Sequence, residues 1–298
     1  MYIVRHRTLF FILTGLVLVA ALGSIIAFGL PLGLDFKGGS LMQVAYFDGR
    51  PDLETIKAQV ATVPVGEISV RALGENAVNI RTSVLTPEAH TAVLAALSGS
   101  GTTTELAFTS VGPSLGSQFA NKALWALLAV VLAIVLYIAF AFRKVSRPVP
   151  SWCYGLTAVV ILLHDLAIPA GFYTILGYFT GAEVDALFVT ALLALLGYSV
   201  NDTIVIFDRV REHLRTNEKT GVREEFADTV GKSISETITR SINTSFTVAL
   251  ALIALVFVGA ASTQNFALVL LVGVIAGTYS SILLAAPLLV PLSRFFTK

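Results

Sequence analysis

Hydropathy patterning constrains this chain more than any other feature. Six mostly apolar stretches, residues 9–30, 123–142, 152–175, 186–207, 240–261 and 266–292, interrupt a more ordinary sequence. A helix rising about 1.5 Å per residue needs about 20 such residues to cross about 30 Å of hydrocarbon. No water satisfies the backbone there, so each stretch must close its hydrogen bonds internally as a helix. Only 13% of the residues are charged, against about 25% in soluble domains. The sequence therefore predicts a polytopic α-helical membrane protein with six transmembrane helices. Arg5 and Arg7 precede the first stretch, as in a signal peptide. Its apolar core exceeds the usual 7–15 residues or so of such a segment, so a retained span is expected.

Net charge is +1, so no global field draws the chain to nucleic acid. The local charge pattern says more. With the N-terminus inside, the cytoplasmic segments hold Arg5 and Arg7, then Arg143, Lys144 and Arg147. Next come Arg209, Arg211, Arg215, Lys219, Arg223 and Lys232, then Arg294 and Lys298. The short outer turns 176–185 and 262–265 hold no lysine or arginine. Lysine and arginine favour the cytoplasmic side, so both termini are expected there. The single cysteine, Cys153, lies in an apolar run and reads as a small buried hydrophobe.

Three regions follow: 1–34 with the first helix, 35–118 as an extracytoplasmic domain, and 119–298 as a five-helix membrane domain. Within 35–118, strand-like segments 41–47, 68–72, 77–82 and 103–110 alternate with helical spacing over 53–63 and 86–97. The order β-α-β-β-α-β predicts a ferredoxin-like α+β unit between helices 1 and 2. Its His90 lies on a helix without evident partners for a metal or a catalytic triad, so no metal, cofactor or enzymatic activity is expected. The charged segment 209–239 reads as a cytoplasmic connector with a short interfacial helix around 222–230. Gly231-Lys232-Ser233 resembles the end of a phosphate-binding loop, but Phe226 stands where its glycine belongs and no strand precedes it. No ATP site is predicted.

The polar residues inside the apolar runs carry the functional reading. Asp202, flanked by Asn201 and Thr203, lies within the fourth run. A charge at mid-helix costs about 2.5–3.5 kcal/mol on insertion scales, so such residues face the protein interior, in ion pathways or in structural pairs. Arg240 opens the fifth run, with Thr237, Asn243, Thr244 and Thr247 spaced to share its face. Asp202 and Arg240 fall at similar depths on antiparallel helices and are expected to meet. His164 and Asp165 sit in the third run, about 100° apart around the helix, with structural pairing expected for His164. Gly273, Gly277 and Ser281 form a small-residue series that lets another helix approach. Gly38 and Gly39 follow the first span, where flexible backbone would act as a hinge for the soluble domain.

These residues fall into motifs. Residues 197–212, GYSVNDTIVIFDRVRE, resemble the fourth-span signature of the SecF family, membrane subunits of the bacterial Sec protein-export machinery. Gly33-Leu34-Asp35-Phe36-Lys37-Gly38-Gly39 is similar to the family motif after the first span, and Val111-Gly112-Pro113-Ser114-Leu115-Gly116 to the one before the second. His164-Asp165 and Arg240-Ser241-Ile242-Asn243-Thr244-Ser245 fit its third and fifth spans.

The resemblance implies a heterodimer with a SecD-like subunit in an assembly of the RND transporter type. It also implies the SecYEG channel and a translocating preprotein as partners, protons as the driving ion, and the bacterial cytoplasmic membrane with its lipids as the location. Asp202 and Arg240 match positions tied to proton transfer, with Asn201, Asn243 and Thr244 in support. Two other classes fit the same membrane carboxylates: an RND-type exporter of small molecules and a passive assembly scaffold.

Overall fold

The computed structural model describes residues 2–99, 101–143 and 148–296. Lys144, Arg147 and Lys298, counted above among the cytoplasmic charges, lie outside the described residues. The chain divides into two compact units, one of residues 1–30 and 125–298, the other of 31–124.

The first unit opens with a single-turn helix α1 (Tyr2–Arg5) and the long apolar helix α2 (Arg7–Phe28). The second unit follows as α3 (Leu34–Lys37), β1 (Gly39–Tyr46), α4 (Leu53–Val60), β2 (Ser69–Leu73), β3 (Ala77–Thr82), α5 (Pro87–Ser98) and β4 (Thr103–Val111). Its four strands lie in the order β2-β3-β1-β4, every neighbour antiparallel, which is the ferredoxin-like arrangement. Alternate residues of β1 and β3 point to one face, so Met42, Val44, Val78 and Ile80 meet Ile56, Val60, Val93 and Leu97 from α4 and α5. The helix starts are locally encoded. Asp52 accepts from the Glu54 amide at 3.2 Å, and Thr86 accepts from the Ala89 amide at 3.3 Å with Pro87 in the first turn.

The edge strand β4 carries a bulge. Gln43 pairs with Ala107 and Val44 with Glu105, so Leu106 is the extra residue. The bulge puts Glu105 and Phe108, three apart, on one face instead of opposite faces. His90 of α5 meets both, bonding Glu105 at 2.8 Å and stacking on Phe108 with ring centroids 4.0 Å apart. The sequence shows no partner for His90; the bulge supplies two.

The first unit resumes within α6 (Pro113–Ala141) and continues through α7 (Ser151–Thr180), α8 (Ala186–Thr220), α9 (Phe226–Val258) and α10 (Ala261–Ser280). A π-helical segment Ser281–Ala285 then joins α10 to α11 (Ala286–Phe296). Among the described residues six helices are long and apolar enough to span a membrane, as the hydropathy predicts. Several outrun their apolar runs. Helix α8 reaches Thr220 and α9 starts at Phe226, so the segment 209–239 is helical except at 221–225, and the short helix expected around 222–230 is the first turn of α9.

Hydropathy marks where lipid lies and not where a helix ends. The charged ends stay helical because they pair: Arg209 with Glu212 at 2.5 Å and with Glu236, Arg211 with Asp208, His213 with Glu236 at 3.0 Å. Glycine ends the helices instead. Gly181 and Gly221 take left-handed backbone after α7 and α8 and bond back to the carbonyls of Gly177 and Asn217.

Two contacts fix the bundle. Gly171 of α7 meets Ala21 of α2, and Ser24 donates its hydroxyl to the Gly171 carbonyl at 3.0 Å. Gly273 and Gly277 of α10 lie against Leu195 and Ser199 of α8. Cys153 is buried beside Phe142, Tyr154 and Phe207, whose rings pack at 5.2–6.0 Å.

Candidate functional site

Helix α8 is the element around which polar groups gather. Its apolar residues Leu195, Leu196, Ile206 and Phe207 are buried, and so are Ser199, Asp202 and Thr203 between them. Each of these three is answered from a different neighbour. Ser245 of α9 donates to Asp202 Oδ2 at 3.4 Å, Thr203 and Ser281 share a hydrogen bond of 2.8 Å, and Ser199 donates to Asp165 of α7. Ser245 is a hub, since Tyr198 donates to it at 3.0 Å and Thr278 of α10 at 2.6 Å. The Ser241 hydroxyl, one turn before Ser245 on α9, is buried and has no hydrogen-bond partner among the described residues.

Arg240 stands apart from this cluster. It is exposed in this chain and makes neither a hydrogen bond nor an ion pair with Asp202. Asn201, Asn243 and Thr247 are exposed as well, and Thr244 is half-buried with its hydroxyl returned to the Arg240 carbonyl at 2.9 Å. The buried face of α9 is a second stripe that the sequence reading passed over: Thr229, Ser233, Thr237, Ser241 and Ser245, each four residues from the last and each buried. An i+4 row of small hydroxyls was visible in the sequence. Thr237, assigned above to the Arg240 face, belongs to it. Arginine and asparagine stand out more in the sequence because they are the costlier groups in lipid.

His164 and Asp165 are both buried, and they bond each other, Nδ1 to Oδ1, at 2.8 Å. The 100° offset between neighbours does not separate them, because both side chains bend into the same inter-helix space. Tyr279 of α10 bonds His164 Nε2 at 2.9 Å, with the rings edge to face. Nothing in the sequence singles out Thr278 or Tyr279, and the motifs that contain Ser199 and Ser245 do not show what these two serines bond; those roles come from the helix packing.

In the α+β unit, Gly38 and Gly39 have φ of +73° and +119°. A Cβ on Gly38 would stand 2.9 Å from the Pro113 Cα, and one on Gly39 2.7 Å from the Thr82 carbonyl oxygen. Both glycines therefore answer to backbone conformation and close approach.

Comparison with known proteins agrees with this architecture. Residues 92–294 match the family model described as protein export membrane protein SecD/SecF, C-terminal, and residues 23–46 match the SecD/SecF GG motif. The protein translocase subunit SecF of Thermobaculum terrenum is 39% identical, over 97% of this chain and 92% of its own. The chain belongs to the SecF family. The subunit SecF of Anaerolinea thermophila is 36% identical over the same shares. Among solved structures, SecDF of Thermus thermophilus, a translocon-associated membrane protein, superposes with a TM-score of 0.84 at 29% identity. The chain is covered to 99% and spans 39% of the length of that SecDF chain. SecDF in its super-membrane-facing form gives a TM-score of 0.66 at the same identity. As a SecF-family chain it is a multi-pass membrane protein and a translocase subunit.

Proposed function

We propose that this chain pairs with a SecD-like subunit and uses the proton motive force to help preproteins leave through SecYEG, with Asp202 taking up and releasing the proton. One observation carries the reading. Asp202 is a buried carboxylate held by the Ser245 hydroxyl, with no cation of the described residues in ion-pair contact. A buried charge without a counter-ion is costly, so the neutral acid is favoured until a cation arrives. Arg240 is the cation at hand, and its approach would favour release. A proton crossing 100 mV supplies about 2.3 kcal/mol for such a cycle.

The exposed Arg240, Asn201 and Asn243 support the partner. Polar groups on a membrane helix need polar or protein cover, and a SecD-like subunit supplies it. We place both termini in the cytoplasm and the α+β unit outside the bacterial cytoplasmic membrane, where it would hold emerging chain. A hinge at Gly38-Gly39 would have to work against their close packing within that unit.

The test is preprotein movement into sealed vesicles with and without a proton gradient. Asp202→Asn keeps the shape but cannot cycle, so gradient stimulation should vanish while assembly persists. Full stimulation in that variant refutes the proton role. Loss of solute efflux with normal preprotein movement would mark an RND-type exporter, and a scaffold would tolerate the change.

A further inference from the structure

The mechanism above leaves one buried acid unused. Asp165 accepts from His164 Nδ1 on one oxygen and from Ser199 on the other, and His164 Nε2 lies 2.9 Å from the Tyr279 hydroxyl. The donors run in one direction. The carboxylate fixes the proton on Nδ1, which leaves Nε2 to accept from the tyrosine. His164, Asp165 and Ser199 are buried, whereas Tyr279 is only half-buried, so the chain has one open end.

Two breaks in helical regularity flank it. Pro169 of α7 lacks the amide that would bond the Asp165 carbonyl four residues earlier. The π segment Ser281–Ala285 begins two residues after Tyr279, and such segments recur at functional sites. Ser199 lies three residues before Asp202 on the same buried face of α8, so the two acids share one helix surface.

We propose that Tyr279, His164 and Asp165 form a second proton-holding unit that works in series with Asp202. The proposal rests on the proton-coupled reading given above. A proton arriving at the Tyr279 oxygen forms one O–H bond as the hydroxyl proton leaves for His164 Nε2, and the Nδ1 proton passes to Asp165 Oδ1. The tyrosine ends neutral, the imidazole ends neutral with its proton on Nε2, and the carboxylate has become the acid. The reverse sequence returns the proton. The mid-span titratable groups on the described elements packed against α7 are Tyr198, Asp202 and Tyr279, with Tyr137 of α6 exposed on the helix that meets Gly155; Arg7, Lys122, Arg294 and the charged end of α8 lie towards the ends of the spans.

The test is infrared difference spectroscopy on the full chain, assembled with its SecD-like partner in vesicles, as pH is changed. Two carboxylic-acid bands are expected. Asp202→Asn should remove one, and Asp165→Asn the other. A single band, lost in Asp202→Asn and kept in Asp165→Asn, overturns this proposal and leaves the Asp202 reading intact. A single band with the opposite dependence overturns the Asp202 reading and keeps proton uptake at Asp165.

Tyr279→Phe covers the case in which Asp165→Asn fails to fold, because it keeps the ring and removes only the hydroxyl. The Asp165 band should persist, but its exchange into deuterated buffer should slow about tenfold or more, the factor carried by about 1.4 kcal/mol of barrier. Unchanged exchange overturns the route through Tyr279. A fixed structural brace predicts no Asp165 band at any pH.

Discussion

Gly171 of α7 lies so close to Ala21 of α2 that an added Cβ would stand 2.6 Å from the Ala21 Cα and carbonyl oxygen. Backbone cannot yield as a side chain can. Gly171→Ala should therefore push α2 away, break the bond from Ser24 and cost about 1–3 kcal/mol. Gly23, on α2 itself, has nothing within 4 Å of an added Cβ. Gly23→Ala should be neutral or stabilise by about 0.5–1 kcal/mol. Denaturation of the two variants in detergent measures the difference, and equal stabilities would contradict the packing.

Ser245 should matter more than Asn243. Removing the Ser245 hydroxyl leaves Asp202 without its donor and Tyr198 without its acceptor, while Thr278 keeps the Val274 carbonyl at 2.7 Å, a loss of about 1–3 kcal/mol for buried partners. Ser245→Ala should lower both stability and gradient-driven export. Asn243→Ala, on an exposed face, should leave the stability of the isolated chain unchanged and weaken copurification with a SecD-like subunit.

The glycines after the first span invite a test of fold before motion. Gly39→Ala meets both a φ of +119° and the Thr82 carbonyl, so it should destabilise the α+β unit by about 1–3 kcal/mol. Hydrogen exchange over β1 and β3 reads this directly. Wild-type protection in the variant would mean the backbone there is freer than its packing indicates, and would favour the hinge.

The connection between α8 and α9 should be sensitive to acid. Lys232 above all, with Asn217 and Thr229 at 3.1 Å, holds the Glu224 carboxyl below its ordinary value of 4.5. A carboxyl depressed in the folded state stabilises above its unfolded value, and that contribution fades as pH falls through the lower folded one. The stability gap between wild type and Glu224→Gln should be constant above about pH 5 and close below about pH 4. A gap that widens in acid would reverse the sign.

Orientation can be read with single thiols. With Cys153 replaced by alanine, a cysteine at Thr102 should react with impermeant reagents from outside, and one at Glu218 should not. The opposite pattern would invert the topology proposed here.

How much of this was legible beforehand differs by residue. Six spans, the βαββαβ order and the helix start at Thr86 are written in local pattern, because bilayer thickness, strand alternation and capping act over a few residues at a time. Asp202 was legible for a similar reason, since a carboxylate in an apolar run is costly wherever the run packs. The end of α8 was not, because its ion pairs to α9 join residues such as Arg209 and Glu236 that lie far apart in sequence.

The sequence by itself determined that the chain is a membrane protein with buried acids, since transfer energies depend on residue type and length alone. Only the tertiary structure decided what those acids touch. That Asp202 meets Ser245 and not Arg240, that Asp165 meets His164 and Ser199, and that Leu106 bulges to bring Glu105 to His90 all depend on helix rotation and strand register. The helix rotations are set by close approach at Gly171, Gly273 and Gly277 and the register by the pairing of β1 with β4, properties of surfaces in contact that no single stretch of sequence contains.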